Sequence, residues 1–361
     1  MEDNKKSKKG LIISIIVALV VAGGAIAAVL ILNRSNNPDS IALDAVTKTI
    51  KEPAHSISGK LELAATTVSA TEENLAQTKI IFDLNGENNG MDSSSSATIT
   101  VKANGMSDFV FRFDEVLQSD GTIYVKPSDL TAFINSIASN YSQYLSSEPL
   151  AAIVTEVKSL ATKISSNWWR ISIPEVLKEF GVADAEFTEE YDCSVAAANE
   201  LLSASGLESV ANIYKNNQFL NVKKSDQKIS SFTGDAYETT IDTSKLAKFW
   251  NEYATSDKVK KINECTKKGD TLNTVTPDEL SAVSDSTFFL DIDKDHNLSG
   301  FYFNDSKGNY DVNADFRIEK GSEDLAIAAP SGAKPITDLT ADITDLVQSI
   351  VSLFTTTKTV E

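Results

Sequence analysis

The chain has 361 residues and a net charge of −18, with 33 Lys and Arg against 51 Asp and Glu. Beyond residue 34 the balance is 28 against 49, a net charge of −21, which argues against nucleic acid and anionic membrane surfaces as partners. The acidic residues are scattered, so the charge describes a solvated surface and names no ligand.

The first element in chain order is an uncharged run from Gly10 to Asn33, GLIISIIVALVVAGGAIAAVLILN. About 20 apolar residues suffice to cross a bilayer as a helix, whereas a signal-peptide core is roughly 7–15 residues long. The run predicts an uncleaved single-pass anchor. Cleavage at Ala25-Ile26-Ala27 is the alternative, but apolar residues continue to Leu32. Lys5, Lys6, Lys8 and Lys9 precede the run and only Arg34 follows it closely, which keeps the N-terminus cytoplasmic. This divides the chain into a basic cytoplasmic N-terminus (1–10), a transmembrane helix (11–32), a linker (33–40) and one extracytoplasmic domain (41–361). No cysteine directly follows the run, so the chain is not anchored as a lipoprotein would be. Cys193 and Cys265 lie in the extracytoplasmic part, where an oxidising compartment favours a disulfide. Two buried free thiols are the alternative.

After the linker, Leu43, Val46 and Ile50 are spaced helically, with Asp39 or Ser40 as cap and Pro53 as stop. Five strands follow. SISGKLELA, TKIIFDLNG, ATITVKANG, DFVFRFDEV and GTIYVKP alternate apolar and polar residues between turn clusters such as NGENNG and SDG, the pattern of half-buried antiparallel strands. Such a sheet has one apolar face, which another layer must cover. The central helices PSDLTAFINSIASN, EPLAAIVTEVKSLATKI, IPEVLKEFG and SVAAANELLSASG are expected to supply it. Between them NWWRISI reads as a strand; its aromatic pair suits core packing, with sugar stacking as the alternative.

Strands return at FLNVKK and GDAYETTID, then a helix, TSKLAKFWNEYA, capped by Thr243 or Ser244, and a short helix from Pro277. GTIYVKPSDLTAFI and AYETTIDTSKLAKFW both run strand, polar turn, helix, one local device used twice. The tail from Ile336 to Phe354 has helical spacing and is expected to pack on the body, with return to the bilayer as the alternative.

FFLDIDKDHNLSGFYF places Asp291, Asp293 and Asp295 at alternate positions, as a calcium loop begins. Counted from Asp291, the sixth and twelfth positions hold His296 and Tyr302 where Gly and Glu are needed. Flanking alternation predicts a hairpin turning at KDHN, followed by a third strand from Tyr310 to Ile318. No metal and no cofactor is expected. The two histidines, His55 and His296, sit beside turns or strand ends. No G-x-S-x-G elbow, phosphate-cradling glycine loop or Cys–His zinc spacing occurs. The sequence gives no positive sign of catalysis.

The order of pieces (an opening helix, antiparallel strands, DGTIYVKPSDL, a helical middle, NWWRISI, then YETTID and FFLDIDKDHNLSGFYFND, closing with AAPSGAKPITDL) resembles the LolA/LppX-type lipoprotein-carrier superfamily, especially its LppX/LprG branch. The resemblance implies an α+β fold: a curved antiparallel half-barrel covered on its concave side by helices, here preceded by one N-terminal transmembrane helix. It also implies a hydrophobic cavity for acyl chains. Here the lipobox cysteine is absent and a membrane helix stands in its place. If a cavity exists, its inward candidates are Phe109, Phe111, Phe113, Phe288 and Leu290; ordinary core packing is the alternative for all five. The function expected is a non-enzymatic, membrane-anchored binding protein for a lipid or acylated ligand. The alternatives are an envelope protein–protein interaction domain with a filled core and, last, an extracellular hydrolase.

Overall fold

The computed structural model describes residues 38–356 apart from 53, 68–75, 104–105, 141–147, 180, 182–184, 266–273, 284–285, 308–309 and 323. The N-terminus 1–10, the span 11–32 and the linker up to residue 37 lie outside the described residues. No described helix is long and apolar enough to cross a membrane.

The fold is a mixed α+β structure built on one large open sheet of 12 strands. Strands β1 (Ala54–Thr67), β2 (Ala76–Asn89), β3 (Asp92–Ala103), β4 (Phe109–Leu117), β5 (Ile123–Ser128) and β6 (Trp169–Ile171) pair in sequence as an antiparallel meander. A second meander holds β7 (Leu220–Lys224), β8 (Asp235–Ile241), β9 (Thr287–Ile292), β10 (Leu298–Lys307) and β11 (Tyr310–Lys320). The two join edge to edge where β1 pairs with β11, from His55 opposite Lys320 to Ala65 opposite Tyr310. The two-residue β12 (Lys334–Pro335) adds a parallel rung to β6.

Helix α1 (Pro38–Lys51) starts at Pro38, inside the linker drawn from the sequence and one residue before the expected caps. Proline is favoured at a first helical position because its missing N–H would be unsatisfied there anyway. Asp39 instead accepts a hydrogen bond from the Val222 backbone N–H on the outer strand β7, at 3.0 Å. The inner stripe of α1, with Ala42, Ala45, Val46 and Ile50, enters the core, where each fully buried Val or Ile contributes about 1.5–3 kcal/mol.

Helices α2 (Leu130–Asn140) and α3 (Glu148–Ser165) pack on β4 and β5. Helix α4 (Ile173–Glu179) follows β6. The single helix expected over 194–206 is two: α5 (Ala185–Leu202) and α6 (Ala204–Asn216). The break lies at Ser203, whose Oγ caps the second helix by accepting from Gly206 N at 3.3 Å. Helix α7 (Thr243–Ala254) is capped by Asp242, accepting from Lys245 N at 3.0 Å, rather than by Thr243 or Ser244. Asp129 before α2 and Asp242 before α7 occupy matching places, so the strand–turn–helix device does occur twice, in different backbone conformations (φ 60° and −81°). Helix α8 (Asp257–Cys265) was not foreseen, and the expected helix at 277–283 is a 3₁₀ turn, Asp278–Val283. The tail forms α9 (Thr340–Thr356), which packs on α3 with an ion pair between Lys163 and Asp342.

Cys193 on α5 and Cys265 on α8 are joined as a disulfide. Beside it Glu200 accepts from Lys258 at 2.6 Å and Lys261 at 2.8 Å, and these hydrogen bonds hold its carboxyl down to about 2.

Candidate functional site

Directly opposed residues of paired strands project to the same side of a sheet, so register carries a side chain's orientation from strand to strand. Phe111 opposes Ile99, which opposes Phe82, then Leu61, Ala314, Phe303 and Phe288. The neighbouring rung runs from Phe113 through Ala97, Leu84, Gly59, Phe316 and Phe301 to Leu290. Phe109 heads a third through Val101, Ile80, Leu63 and Val312. All five candidate residues therefore share one face, which is apolar from β4 to β9. At its centre the Phe316 ring stacks on Phe301 (5.1 Å, 10°) and lies over Gly59, where an added Cβ would sit 2.5 Å from the ring.

The five do not form one pocket. Phe133 of α2 sits edge-on to Phe109 at 6.3 Å and to Phe111 at 6.1 Å, with Phe113 5.7 Å from Phe111. Six strand spacings away, about 29 Å along the sheet, Leu290 is buried and Phe288 packs beside it under α1 and α6. Both helix groups cover the same face. Between them Leu61, Leu63, Ile80, Phe82, Ile99 and Val101 on β1–β3 are only half-buried. The result is an apolar strip bracketed by two helical walls.

The other face is mostly polar, with Ile81 and Val116 buried on it, and there Asp291 of the calcium-like stretch finds its use. Asp291 is fully buried (0% exposed) and accepts from Arg317 Nη1 at 2.6 Å, Gly234 N at 2.7 Å and Thr233 N at 2.9 Å. Asp293 closes the turn, accepting from the backbone N–H groups of Asp295 and Asn297, each at 2.8 Å. His296 takes a left-handed conformation (φ 57°) and sets Nδ1 3.2 Å from the Asp44 carboxylate on α1. Trp169 is core: it is 1% exposed and donates its indole N–H to the Ile164 carbonyl at 2.8 Å.

Two clefts open elsewhere. One of 280 Å³ lies between α1, β8 and the 293–296 turn. One of 460 Å³ is lined by the end of α1, the start of β1 and the end of β11. Neither borders Leu61, Phe82 or Ile99. His55 lines the larger cleft, and burial pushes its imidazole below the ordinary value despite the Thr49 and Glu52 carbonyls and the Glu52 carboxylate. Nothing in the sequence marked His55 beyond its place at a strand end. No protein-family model matches this chain, and no curated protein matches it.

Proposed function

We propose that this chain is a membrane-anchored extracytoplasmic binding protein, without catalysis, that lays an acyl chain of a lipid or lipoprotein along the strip formed by β1–β3. The carrying observation is the continuity of the apolar face through the half-buried Leu61, Phe82 and Ile99 between two helix-covered ends. Apolar area removed from water contributes about 25 cal/mol per Å², so an acyl chain laid across these rungs gains affinity without any charged contact. The resemblance to LolA/LppX-type carriers, with a curved half-barrel and helices on its concave side, supports the same placement. The uncharged run 11–32 would tether the domain, so a ligand would be held or handed over locally. The test is mass spectrometry of lipid retained by residues 35–361, together with displacement of a fluorescent fatty-acid probe. Retained lipid that the probe displaces supports the reading. A lipid-free protein that ignores the probe rejects it.

A second reading, an envelope interaction domain, draws on α9. Ile343, Val347 and Val351 recur every fourth residue and are 48%, 51% and 54% exposed. A photo-crosslinker at Val347 that captures an envelope protein, with no lipid in the strip, would favour it.

A further inference from the structure

The apolar strip is covered unevenly along its strands. On β11 the residues that share its face run from buried Ile318, Phe316 and Ala314, through half-buried Val312, to Tyr310, which is 65% exposed. Tyr310 opposes Ala65, which opposes Thr78 and through it Ala103. The tyrosine therefore projects to the same side as Leu63, Ile80 and Val101 in the neighbouring rungs. Met106, in the turn between β3 and β4 at this end of the sheet, is 38% exposed.

The opposite end is closed. Tyr191 and Asn199 of α5 donate to the Gly121 and Ser119 carbonyls in the β4–β5 turn, at 2.8 and 2.6 Å. From there α5 leads into α6, which packs on α1, and Leu202 near its end joins the buried core together with Ile57 and Leu84. The strip is thus a slot with a helical wall on each side and α5 across one end. Among the described residues it opens at Tyr310. From the Tyr310–Ala65 pair to the Phe316–Gly59 pair is six residues, about 20 Å along the strands. A bilayer core of about 30 Å holds two acyl layers, so one chain of about 15 Å fits the slot lengthwise. Burying the tail is favourable, and burying a polar head without partners is costly. A tyrosine at the mouth offers its ring to the chain and its hydroxyl to the head, and the exposed Thr78 adds a second hydroxyl to that rung. We infer that the slot is loaded end-on by an amphiphile with a polar group at one end only, its methyl end toward Gly59 and its head at the Tyr310–Thr78 rung. The inference rests on the acyl-binding reading and adds to it a direction and a ligand class: a chain with a polar group at both ends is refused.

Photolabelling tests the direction. The full chain in lipid nanodiscs is exposed to two palmitoyl probes, one with a diazirine beside the carboxyl group and one with it at the methyl end, and the marked residues are located by mass spectrometry. The head-proximal probe is expected to mark Tyr310, Thr78 or Ala103, and the terminal probe Gly59, Leu84 or Phe316. Hexadecanedioate should compete with the probes about tenfold more weakly than hexadecanoate, because its second carboxylate would be buried at the closed end. Thr78→Trp, at the mouth, should lower both labellings roughly tenfold by obstructing entry, whereas Lys102→Trp, at the same end on the polar face, should leave them unchanged. Reversed marks, equal competition by the diacid, or a Thr78→Trp variant that labels as the parent does would overturn the inference and leave acyl binding standing. Absence of any mark on β1–β3 and β11 would overturn both.

Discussion

Arg317 on β11 reaches across the intervening strand β10 to Asp291 on β9, with Nη1 2.6 Å from the carboxylate. The route passes over Gly300, which opposes both Arg317 and Asp291 in the register. A Cβ at Gly300 would lie 2.5 Å from the Phe316 carbonyl and 3.4 Å from Arg317 Cδ. One buried carboxylate thus ties β9 to β11 across β10, and both to the 233–234 loop.

Removing one partner of a buried ion pair leaves the other uncompensated, which typically costs 3–5 kcal/mol. Asp291 is wholly buried and Arg317 only partly, so Arg317→Met is expected to destabilise by about 3 kcal/mol. Urea unfolding gives the value. A loss under about 1 kcal/mol would mean that the Thr233 and Gly234 amides already satisfy the carboxylate.

The disulfide between Cys193 and Cys265 spans 72 residues of sequence. On the chain-entropy account, closing such a loop stabilises by about 4 kcal/mol. Replacing both cysteines by serine should lower the urea midpoint accordingly, and reductant should then have no further effect. A midpoint unchanged by the double substitution would show that the Glu200–Lys258–Lys261 cluster alone holds α8 on α5.

Much of this architecture was legible because β1–β5 and β9–β11 alternate cleanly, so Phe109, Phe111 and Phe113 could be assigned a shared face before any pairing was known. Other parts lacked a local signal. Leu207, Ala211 and Tyr214 have helical spacing, but Ser203-Ala204-Ser205-Gly206 reads as the end of the helix expected over 194–206, which hid the start of α6. Helix α8 has mainly Val259 and Ile262 as its apolar contribution; the disulfide and the lysine pair on Glu200 hold it, and both are tertiary. The β1–β11 join and the buried state of His55 depend on register between segments more than 200 residues apart, and the reach of Arg317 to Asp291 depends on the register of two successive hairpins. Periodicity is blind to them.

His55 also predicts a pH dependence. Burial lowers its folded pKa below the unfolded value of about 6.5, opposed by the Glu52 carboxylate and reinforced by Lys320 opposite it on β11. Between the two values the unfolded chain binds a proton that the folded chain does not, so stability falls as pH drops. The contribution is complete above about pH 6.5 and is lost progressively as pH falls toward the folded pKa. Urea midpoints across this window should slope downward on acidification in the parent and lose that component in His55→Phe. Parallel curves would place the slope elsewhere.

The strip makes its own demand. Phe82 sits at its centre, opposed by Leu61 and Ile99 and only half-buried. Phe82→Arg puts a charge where an acyl chain would lie, yet the arginine stem can cover the neighbours while its head reaches water, so the stability loss should stay near 1 kcal/mol. Fatty-acid probe binding should weaken by roughly tenfold or more, since a buried unpaired charge is costly. Thr98→Arg, on β3 next to Ile99 and facing the polar side, should leave probe binding unchanged. If both variants bind the probe equally well, the apolar face between the helix groups is not where the ligand lies. If both lose binding together with their fold, the strip is core.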